Sequence, residues 1–308
     1  MQRAMYDVLV LGELNADLIL SGDVAPAWSQ SEKLVDDATL VLGSSSAIFA
    51  CGAARLGLKV AFAGVVGDDP LGRFCREQLA AHGVDPGAVM VDPATRTGIT
   101  VILQQPGDRA MLTFPGAIAA LHAGLIDPAL LRAARHLHAG SYFLQTRLQA
   151  DLPRLFGVAR ARGATTSLDT NWDPSGRWEG LDALLAVTDI LLPNEQEACA
   201  LAGANHWEDA LAHLAARVPL VAIKRGAAGA VAMRGRERAD ALPPRVSFVD
   251  AVGAGDSFDA GFIYGVLAGW SLERTLRLAT ACGALSTRAA GGTAAQPTLE
   301  EAMRHAGI

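Results

Sequence analysis

The stretch VDAVGAGDSFDAGF, residues 249–262, joins a glycine-rich turn to an apolar, helical pattern. Together with the preceding RVSF, it predicts a strand, a turn and a helix that begins near Asp256. In that geometry free backbone N–H groups and the positive end of a helix dipole meet, which suits a phosphate or a developing negative charge. Asp256 beside such a site suits a base that takes a proton from an attacking hydroxyl. The structural alternative is that Asp256 only caps the helix and the glycines only form a tight turn.

The composition indicates one large α/β protein with a sizeable core. The chain has 308 residues, of which 51% are hydrophobic and 19% charged. A net charge of −6 argues against nucleic-acid binding, and no apolar run reaches the roughly 20 residues that span a membrane. The four cysteines are scattered without metal-ligand spacing, which predicts reduced thiols in a cytoplasmic protein.

Strand-like and helix-like segments alternate along most of the chain. This alternation predicts a parallel sheet that is covered by helices on both faces. Alternating patterns at 13–20 and 97–114 predict a separate small antiparallel sheet, with a hairpin turn at QPGDR, 105–109. The strands predicted for the main sheet are 6–12, 59–67, 136–143, 165–170, 189–194, 220–226 and 229–235.

Four further places carry candidate site residues. Asn194 and Glu197, three apart at the start of a helix, can hold hydrated Mg²⁺, or else form a helix cap. Asp250, just before the glycine-rich turn, can bind a metal ion, orient the loop or lie solvated at a strand end. The other two places each have a binding and a structural interpretation.

One of these is IKRGAAGA, 223–230. Its Lys224, Gly226 and Gly229 can pass under the phosphates and base of a nucleotide, or form an ordinary hairpin turn. The other is GELNAD, 12–17. Its Asn15 and Asp17 point the same way on a strand, which suits the hydroxyls of a sugar or an exposed strand face.

Six motifs occur in the order and spacing of one family. From about residue 6 to 296 the chain resembles the ribokinase-like (PfkB) carbohydrate kinases. The most specific match is DAVGAGDSFDAGF, which is similar to the C-terminal signature D-T-x-G-A-G-D-x-F-x-A-G-F. The others are GELNAD, ARLGLKVAFAGVVGDDPLGRF, LDTNWDP, PNEQE and IKRGAAGA.

The resemblance implies a three-layer α/β/α fold over residues 5–300, with a mostly parallel central sheet. A small β-sheet lid would be formed by about 13–42 and 95–116. It implies transfer of the ATP γ-phosphoryl group to a sugar hydroxyl, with Mg²⁺ and in some members K⁺. By analogy, the lid strands favour a homodimer.

The resemblance also implies roles for individual residues. Asp256 would be the catalytic base, beside an anion hole that Gly253, Ala254 and Gly255 form. Asn194 and Glu197 would belong to the Mg²⁺ and phosphate motif, and Lys224, Gly226 and Gly229 would lie along ATP. Asp250 and the carbonyl of Val252, completed by the loop at 284–292, would bind the monovalent cation. The residues that would hold the sugar are Asn15, Asp17, Gly43, Ser44, Ser45 and Asn171.

The chain departs from the family pattern at several positions. The usual Gly-Gly-x-x-x-Asn is GSSSAI here, with Ser44 for the second glycine and Ile48 for the asparagine. Ile118 stands where Gly-Ala-Asn is common, and Ala251 replaces the threonine of the signature. Because two amide side chains have become apolar, we expect a less polar substrate or a sugar held from other positions.

The main hypothesis is therefore an ATP-dependent kinase for a sugar or sugar-like molecule. One alternative is a nucleoside kinase of the same fold, since the two isoleucines are compatible with a partly apolar acceptor. Another is a ligand-binding regulator that has lost activity, although a pure binder has no need of the Asp256 base.

Overall fold

A computed structural model describes residues 5–105 and 108–308 as two sheets with helices packed around the larger one. The strands are β1 Tyr6–Leu11, β2 Asn15–Ser21, β3 Asp37–Leu42, β4 Val60–Gly67, β5 Asp85–Asp92, β6 Gly98–Gln105, β7 Asp108–Phe114, β8 Ala134–Ala139, β9 Thr165–Leu168, β10 Ile190–Leu191, β11 Leu220–Lys224, β12 Ala230–Arg234 and β13 Glu237–Ala241. The helices are α1 Ser45–Arg55, α2 Pro70–Ala81, α3 Pro128–Ala133, α4 Leu152–Arg160, α5 Asp182–Leu185, α6 Glu195–Ala202, α7 Trp207–Ala215, α8 Ala254–Leu267, α9 Leu272–Ser286 and α10 Leu299–Ala306.

The large sheet has nine strands in the order β13-β12-β11-β10-β9-β8-β1-β4-β5. The seven from β11 to β5 pair in parallel, and only the β11–β12 and β12–β13 pairs are antiparallel. The chain winds outward from β1 in both directions, so the strand order reverses beside β1. In open α/β sheets ligands bind at the carboxyl ends of the strands next to such a reversal.

Alternate side chains of β1 pack into the two hydrophobic cores on opposite faces of the large sheet, which is why the whole strand is apolar. Val8 and Val10 face the core shared with α1, α8 and α9, whereas Leu9 and Leu11 face the core on the opposite side. All four side chains are completely buried. A central parallel strand that helices cover on both faces needs this continuous apolar run.

The small sheet has the order β3-β2-β6-β7. Its β2–β3 and β6–β7 pairs are antiparallel, whereas β2 and β6 run parallel, so the prediction of an antiparallel small sheet was wrong for this central pair. The turn that was predicted for the β6–β7 hairpin falls on Pro106 and Gly107, which lie outside the described residues. The mostly parallel main sheet with a second, smaller sheet confirms the predicted fold class.

Several sequence-based expectations about strands were wrong. The strand predicted at 245–250 is absent, because residues 242–251 form neither helix nor strand. Pro243 and Pro244 lack the amide donors that a sheet ladder requires, and Phe248 is 68% exposed. The strand predicted at 189–194 shrinks to Ile190–Leu191. Strand β5 was missed because Pro86 and Gly87 interrupt its pattern, as an edge strand tolerates.

No helix in the described part of the chain combines the length and the apolar character that crossing a membrane requires.

Candidate active site

Helix α8 begins directly after the glycine-rich turn. Its N-cap is Gly253, which has φ 71° and ψ 6°, so the N-cap role considered for Asp256 is wrong. Among the described residues, the backbone amides of Gly253, Gly255 and Asp256 have no hydrogen-bond acceptor, whereas that of Ala254 donates to the Ala251 carbonyl at 3.2 Å. The unengaged amides at the positive end of a 14-residue helix are suited to hold an anion, and we call this place the anion site. Ala254 contributes less to it than we expected.

Asp256 lies in the first turn of α8, half-buried, with its carboxylate directed at α1. The Ser45 hydroxyl donates to Asp256 Oδ1 and also lies 3.4 Å from Asn171 Oδ1. Burial, supported by the nearby Asp169 charge, raises the pKa of Asp256 to about 7. A carboxylate with that pKa takes up and releases a proton near neutral pH, as a general base must.

Asn194 and Glu197 form a capping box at the start of α6. The Glu197 amide donates to Asn194 Oδ1 at 2.9 Å, and the Asn194 amide donates to Glu197 Oε2 at 2.8 Å. The capping alternative is therefore realised, but the pair also lines the main cavity. Burial and the Asp169 charge raise the pKa of Glu197 to about 7. A bound cation would relieve this unfavourable buried charge, so the donor set fits Mg²⁺.

Lys224 ends strand β11 with its ammonium group turned toward α8. Nζ lies 2.7 Å from Asp169 Oδ2 and 3.0 Å from Asp259 Oδ2. Burial acts against the ammonium charge, but the carboxylates of Asp169, Asp259 and Glu197 outweigh it and raise the Lys224 pKa. Lys224 borders the cavity, yet its charge is already neutralised inside the protein.

The two glycines after Lys224 do lie in a hairpin connection, between β11 and β12. Gly226 (φ 54°) and Gly229 (φ 85°) both have positive φ, and both line the cavity. A Cβ at Gly229 would lie 2.0 Å from the Ala241 carbonyl oxygen, so only glycine fits there. The hairpin alternative and a cavity-lining role are thus compatible.

Asn15, Asp17 and Gly43 come together at the start of β2 and just after the end of β3. Asn15 Nδ2 donates to Asp17 Oδ1 at 2.9 Å, and a Cβ on Gly43 would lie 2.2 Å from that oxygen. Asn15 and Asp17 are both buried, so the exposed-face alternative is wrong. Burial raises the pKa of Asp17 to about 6.

Ser44 and Ser45 lie between this group and Asp256. Ser44 is the N-cap of α1 with φ 71°, a conformation that glycine adopts more easily. Its hydroxyl donates to the Glu13 carbonyl at 2.6 Å and accepts from the Ala47 amide at 3.0 Å. The Ser44 hydroxyl is thus engaged in the fold, while that of Ser45 faces Asp256 and Asn171.

Asp250 is buried rather than solvated. Its Oδ1 accepts from the Val252 amide at 3.0 Å and its Oδ2 from the Gly291 amide at 3.1 Å. These bonds join the turn before α8 to the loop at 284–292. Arg109, from β7 of the small sheet, places Nη1 3.7 Å from Asp250 Oδ1, so a cationic group already faces this carboxylate.

A cavity of about 870 Å³ runs along the carboxyl ends of the strands to the start of α8. The expected site residues that line it are Asn171, Asn194, Glu197, Lys224, Gly226, Gly229, Ala254, Gly255 and Asp256. Those that do not line it are Asn15, Asp17, Gly43, Ser44, Ser45, Asp250, Val252 and Gly253. Two groups of polar residues thus meet at Asp256, one on the cavity and one at the starts of β2 and α1.

Packing explains the two isoleucines that depart from the family pattern. Ile48 is buried, and a Cβ on Gly292 or Gly253 would lie 2.3 Å or 2.8 Å from its side chain. Ile118 packs in the same way against Gly98, where a Cβ would lie 3.0 Å away. Because Ile48 supports the backbone of the anion site, its apolar character does not require a less polar substrate.

Three buried carboxylates close to Ser45, Asp256 and Lys224 had no role predicted from the sequence: Glu13, Asp169 and Asp259. Glu13 accepts hydrogen bonds from Ser44, Ser46 and Ser141 beneath the Ser45 region. Asp169, Asp256 and Asp259 each offer a carboxylate oxygen within 4.8 Å of the others. The sequence did contain a signal for them. Glu13 and Asp169 follow buried strands, and Asp259 lies one turn along an apolar helix, where a carboxylate is costly unless it has a partner.

Comparison with known proteins places this geometry in a family. A family model described as "pfkB family carbohydrate kinase" matches residues 5–299. A fructokinase from Klebsiella pneumoniae is 34% identical over 280 residues, 85% of this chain and 91% of the relative. An ATP-dependent ribose-1-phosphate kinase from Halopiger xanaduensis is 32% identical over 299 residues, 96% of each chain.

The same relationship extends to solved structures. An E. coli protein provisionally named ribokinase II, crystallised with ATP and Mg²⁺, superposes with a TM-score of 0.88 at 26% identity. The match covers 98% of this chain and 99% of that one. The chain therefore belongs to the pfkB family of carbohydrate kinases and is an ATP-dependent phosphotransferase that acts on the hydroxyl group of a sugar or a nucleoside.

Proposed function

We propose that Asp256 is the general base of this kinase and that a sugar-like molecule is its acceptor. The observation that carries the proposal is the contact between the Asp256 carboxylate and the Ser45 hydroxyl, beside the unengaged amides of α8. A carboxylate that already accepts an aliphatic hydroxyl can accept the acceptor's hydroxyl in its place. The pKa of about 7 lets it ionise at neutral pH.

In the proposed reaction the acceptor oxygen attacks the γ-phosphorus of ATP. A bond forms between that oxygen and phosphorus, the bond from phosphorus to the bridging β-phosphate oxygen breaks, and the hydroxyl proton passes to Asp256 Oδ1. The amides of Gly253, Gly255 and Asp256 stabilise negative charge on the transferred group. ADP and the phosphorylated acceptor then leave.

ATP and Mg²⁺ would occupy the cavity that runs from Gly226 to α8. Glu197 and Asn194 would hold the hydrated ion, because their buried oxygens gain a counter-charge when it binds. When bound, Mg²⁺ neutralises charge on the phosphates. Gly226 and Gly229 let the backbone approach the nucleotide closely.

The acceptor would lie beneath the small sheet, between Asp17 and Asp256. Asn15, Asp17, Ser45 and Asn171 offer donors and acceptors for several hydroxyl groups, and the Gly43 backbone lies beside them. Ser44 would act through its backbone, because Glu13 already binds its hydroxyl. The small sheet, within about residues 13–42 and 95–116, would form a lid on a single kinase domain, 5–300.

A monovalent cation such as K⁺ would bind at Asp250 and the Val252 carbonyl. The burial of Asp250 and its amide bonds to both loops support a site here, while Arg109 competes for the same carboxylate. Replacing K⁺ by the tetramethylammonium ion lowers kcat if the cation binds. Unchanged kinetics in the two salts would remove this part of the proposal.

The enzyme would form a homodimer through the outer face of the small sheet. Register places Leu40, Leu18, Val101 and Leu112 in one row across the four strands. Leu40 is 41% exposed and Leu112 61% exposed. A four-stranded sheet with such an uncovered apolar face gains stability when a second copy covers it.

We also propose a cytoplasmic location, which the cysteines and the substrate support. All four cysteines are free thiols, and Cys51, Cys75 and Cys282 are buried. Free thiols persist in reducing compartments, where ATP is also abundant. Fractionation of cells that express the full chain tests the location.

An acceptor panel tests the proposed function. Purified protein with MgATP is assayed for ADP release with fructose, ribose, ribose 1-phosphate and adenosine, and Asp256→Asn serves as the blank. We expect a sugar or sugar phosphate to give the highest kcat/KM. Preference for adenosine would favour a nucleoside kinase, and ligand binding without ADP release from any acceptor would indicate an inactive regulator.

A further inference from the structure

Asp259 lies on α8 one helical turn after Asp256, and the proposed reaction does not use it. It is 1% exposed, on a helix whose other buried residues include Phe258, Phe262 and Ile263. An isolated carboxylate in such surroundings costs several kcal/mol unless it is paired, so its partners indicate what it does.

The partner of Asp259 is Lys224. The ammonium nitrogen lies 3.0 Å and 3.2 Å from the two Asp259 oxygens, and 2.7 Å from Asp169 Oδ2. These three residues come from α8, from β11 and from the segment after β9, which are distant in sequence. The ion pairs therefore fix the start of α8 to the carboxyl ends of two strands.

The clamped ammonium group lies directly beneath the anion site. A Cβ added to Gly255 would lie 3.5 Å from Lys224 Nζ, which is ordinary van der Waals contact. One fixed positive charge thus lies under the backbone whose amides face the cavity. A lysine held by only one carboxylate could turn into the cavity instead, because Lys224 borders it.

We propose that Asp259 is a positioning residue for phosphoryl transfer: with Asp169 it clamps the Lys224 ammonium beneath Gly255, rather than leaving it to bind ATP. The inference rests on the proposed function of the Asp256 site. Lys224 then supports the anion site and Asp256, and it is not a ligand of the nucleotide.

Kinetics of Asp259→Asn, Lys224→Met and the double variant test the clamp. We expect kcat to fall about tenfold or more in each single variant, because small displacements at a reacting centre are costly. The dissociation constant of MgATP should change by less than about threefold. Because Asp259 acts through Lys224, the double variant should be no slower than Lys224→Met. Asp209→Asn on the exposed face of α7 is the matched control.

The pH profile separates this role from a merely structural one. The titratable groups around Asp256 are Glu13, Asp169, Lys224 and Asp259. Lys224 is the positive one, so Lys224→Met should move the acid limb of kcat/KM up by about one pH unit. The same shift is expected in the ¹³C titration of the Asp256 carboxyl, which needs no turnover.

Three results would overturn the inference. The first is a double variant whose loss of kcat equals the product of the losses in the two single variants. The second is a tenfold weaker binding of MgATP to Lys224→Met. The third is a pKa of Asp256 that Lys224→Met leaves unchanged. If the wild-type protein phosphorylates no acceptor, the proposed function fails. The inference is then decided by MgATP binding and the ¹³C titration alone.

Discussion

The two sides of the active site are held together by different interactions. On the nucleotide side, ion pairs centred on Lys224 join α8 to the ends of β9 and β11. On the acceptor side, neutral donors hold the buried carboxylates of Glu13 and Asp17, and those on Glu13 orient the start of α1. The difference shows that ion pairs hold the side where phosphoryl groups would bind, whereas hydrogen bonds from neutral groups hold the acceptor side. Asp256 lies where the two sides meet.

The largest effect is expected for Asp256→Asn, which removes the base but keeps the shape of the side chain. We predict a fall in kcat of about 10²- to 10⁴-fold in the ADP-release assay, with MgATP binding retained by calorimetry. Asp209→Asn should keep wild-type turnover.

Loss of folding would be a different explanation for an inactive Asp256→Asn, and a measurement of protein stability against pH tests that explanation. The Asp256 pKa is raised from 3.8 to about 7, so the wild-type protein loses stability as the pH rises from the lower value to the higher one, and the loss is complete above 7. The variant should therefore be at least as stable as the wild type at pH 8 in urea titrations. A variant that is inactive and also much less stable at pH 8 would leave no support for a catalytic role.

Ile48→Asn tests whether the apolar residue sets the acceptor or supports the anion site. Because Ile48 packs on the backbone of Gly253 and Gly292, we expect the free energy of unfolding to fall by about 2–4 kcal/mol. The ranking of acceptors by kcat/KM should stay the same. A new preference for more polar sugars at unchanged stability would favour the specificity role.

Glu13→Gln tests how much the hydrogen bonds to Glu13 on the acceptor side contribute to stability. The amide group of glutamine would meet hydroxyl groups that now donate to a carboxylate, among them Ser46 at 2.6 Å. We predict a loss of about 1–3 kcal/mol in unfolding free energy, measured by urea denaturation. Glu300→Gln on the exposed side of α10 is the control and should change it by less than about 0.5 kcal/mol.

The smallest effect is expected on the outer face of the small sheet. Leu112→Glu places a charge in the apolar row and should weaken the proposed dimer at least about tenfold in sedimentation velocity. Met90→Glu, on the exposed edge strand β5, is the matched control. If Leu112→Glu has the same mass as the wild type at every concentration, the dimer uses another surface.

The nucleotide side was easier to predict from sequence than the acceptor side. The glycine-rich turn, the helix after it and the capping pair Asn194–Glu197 are local patterns, and the structure places all three on one cavity. The Lys224 clamp depends on Asp169 and Asp259, which are 55 and 35 residues away in the chain. No local pattern reports such contacts.

Long-range packing also limited what could be predicted of the acceptor side. The role of Ile48 depends on Gly253 and Gly292, more than 200 residues further along the chain, so the substitution alone suggested a change in substrate. The strand expected at 245–250 failed because apolar composition does not reveal whether a neighbouring strand is present. Patterns of 3.6 and 2 residues identified most elements, and the contacts between elements required the structure.

The most direct test of the central claim is the pH dependence of kcat/KM for the preferred acceptor between pH 5 and 9. Because kcat/KM reports groups of the free enzyme, its acid limb should bend near pH 7, where Asp256 ionises. Below that point the rate should fall about tenfold per pH unit, and the small residual activity of Asp256→Asn should lack this bend. A wild-type profile that stays flat down to pH 5, or the same bend in Asp256→Asn, would contradict the assignment of Asp256 as the base.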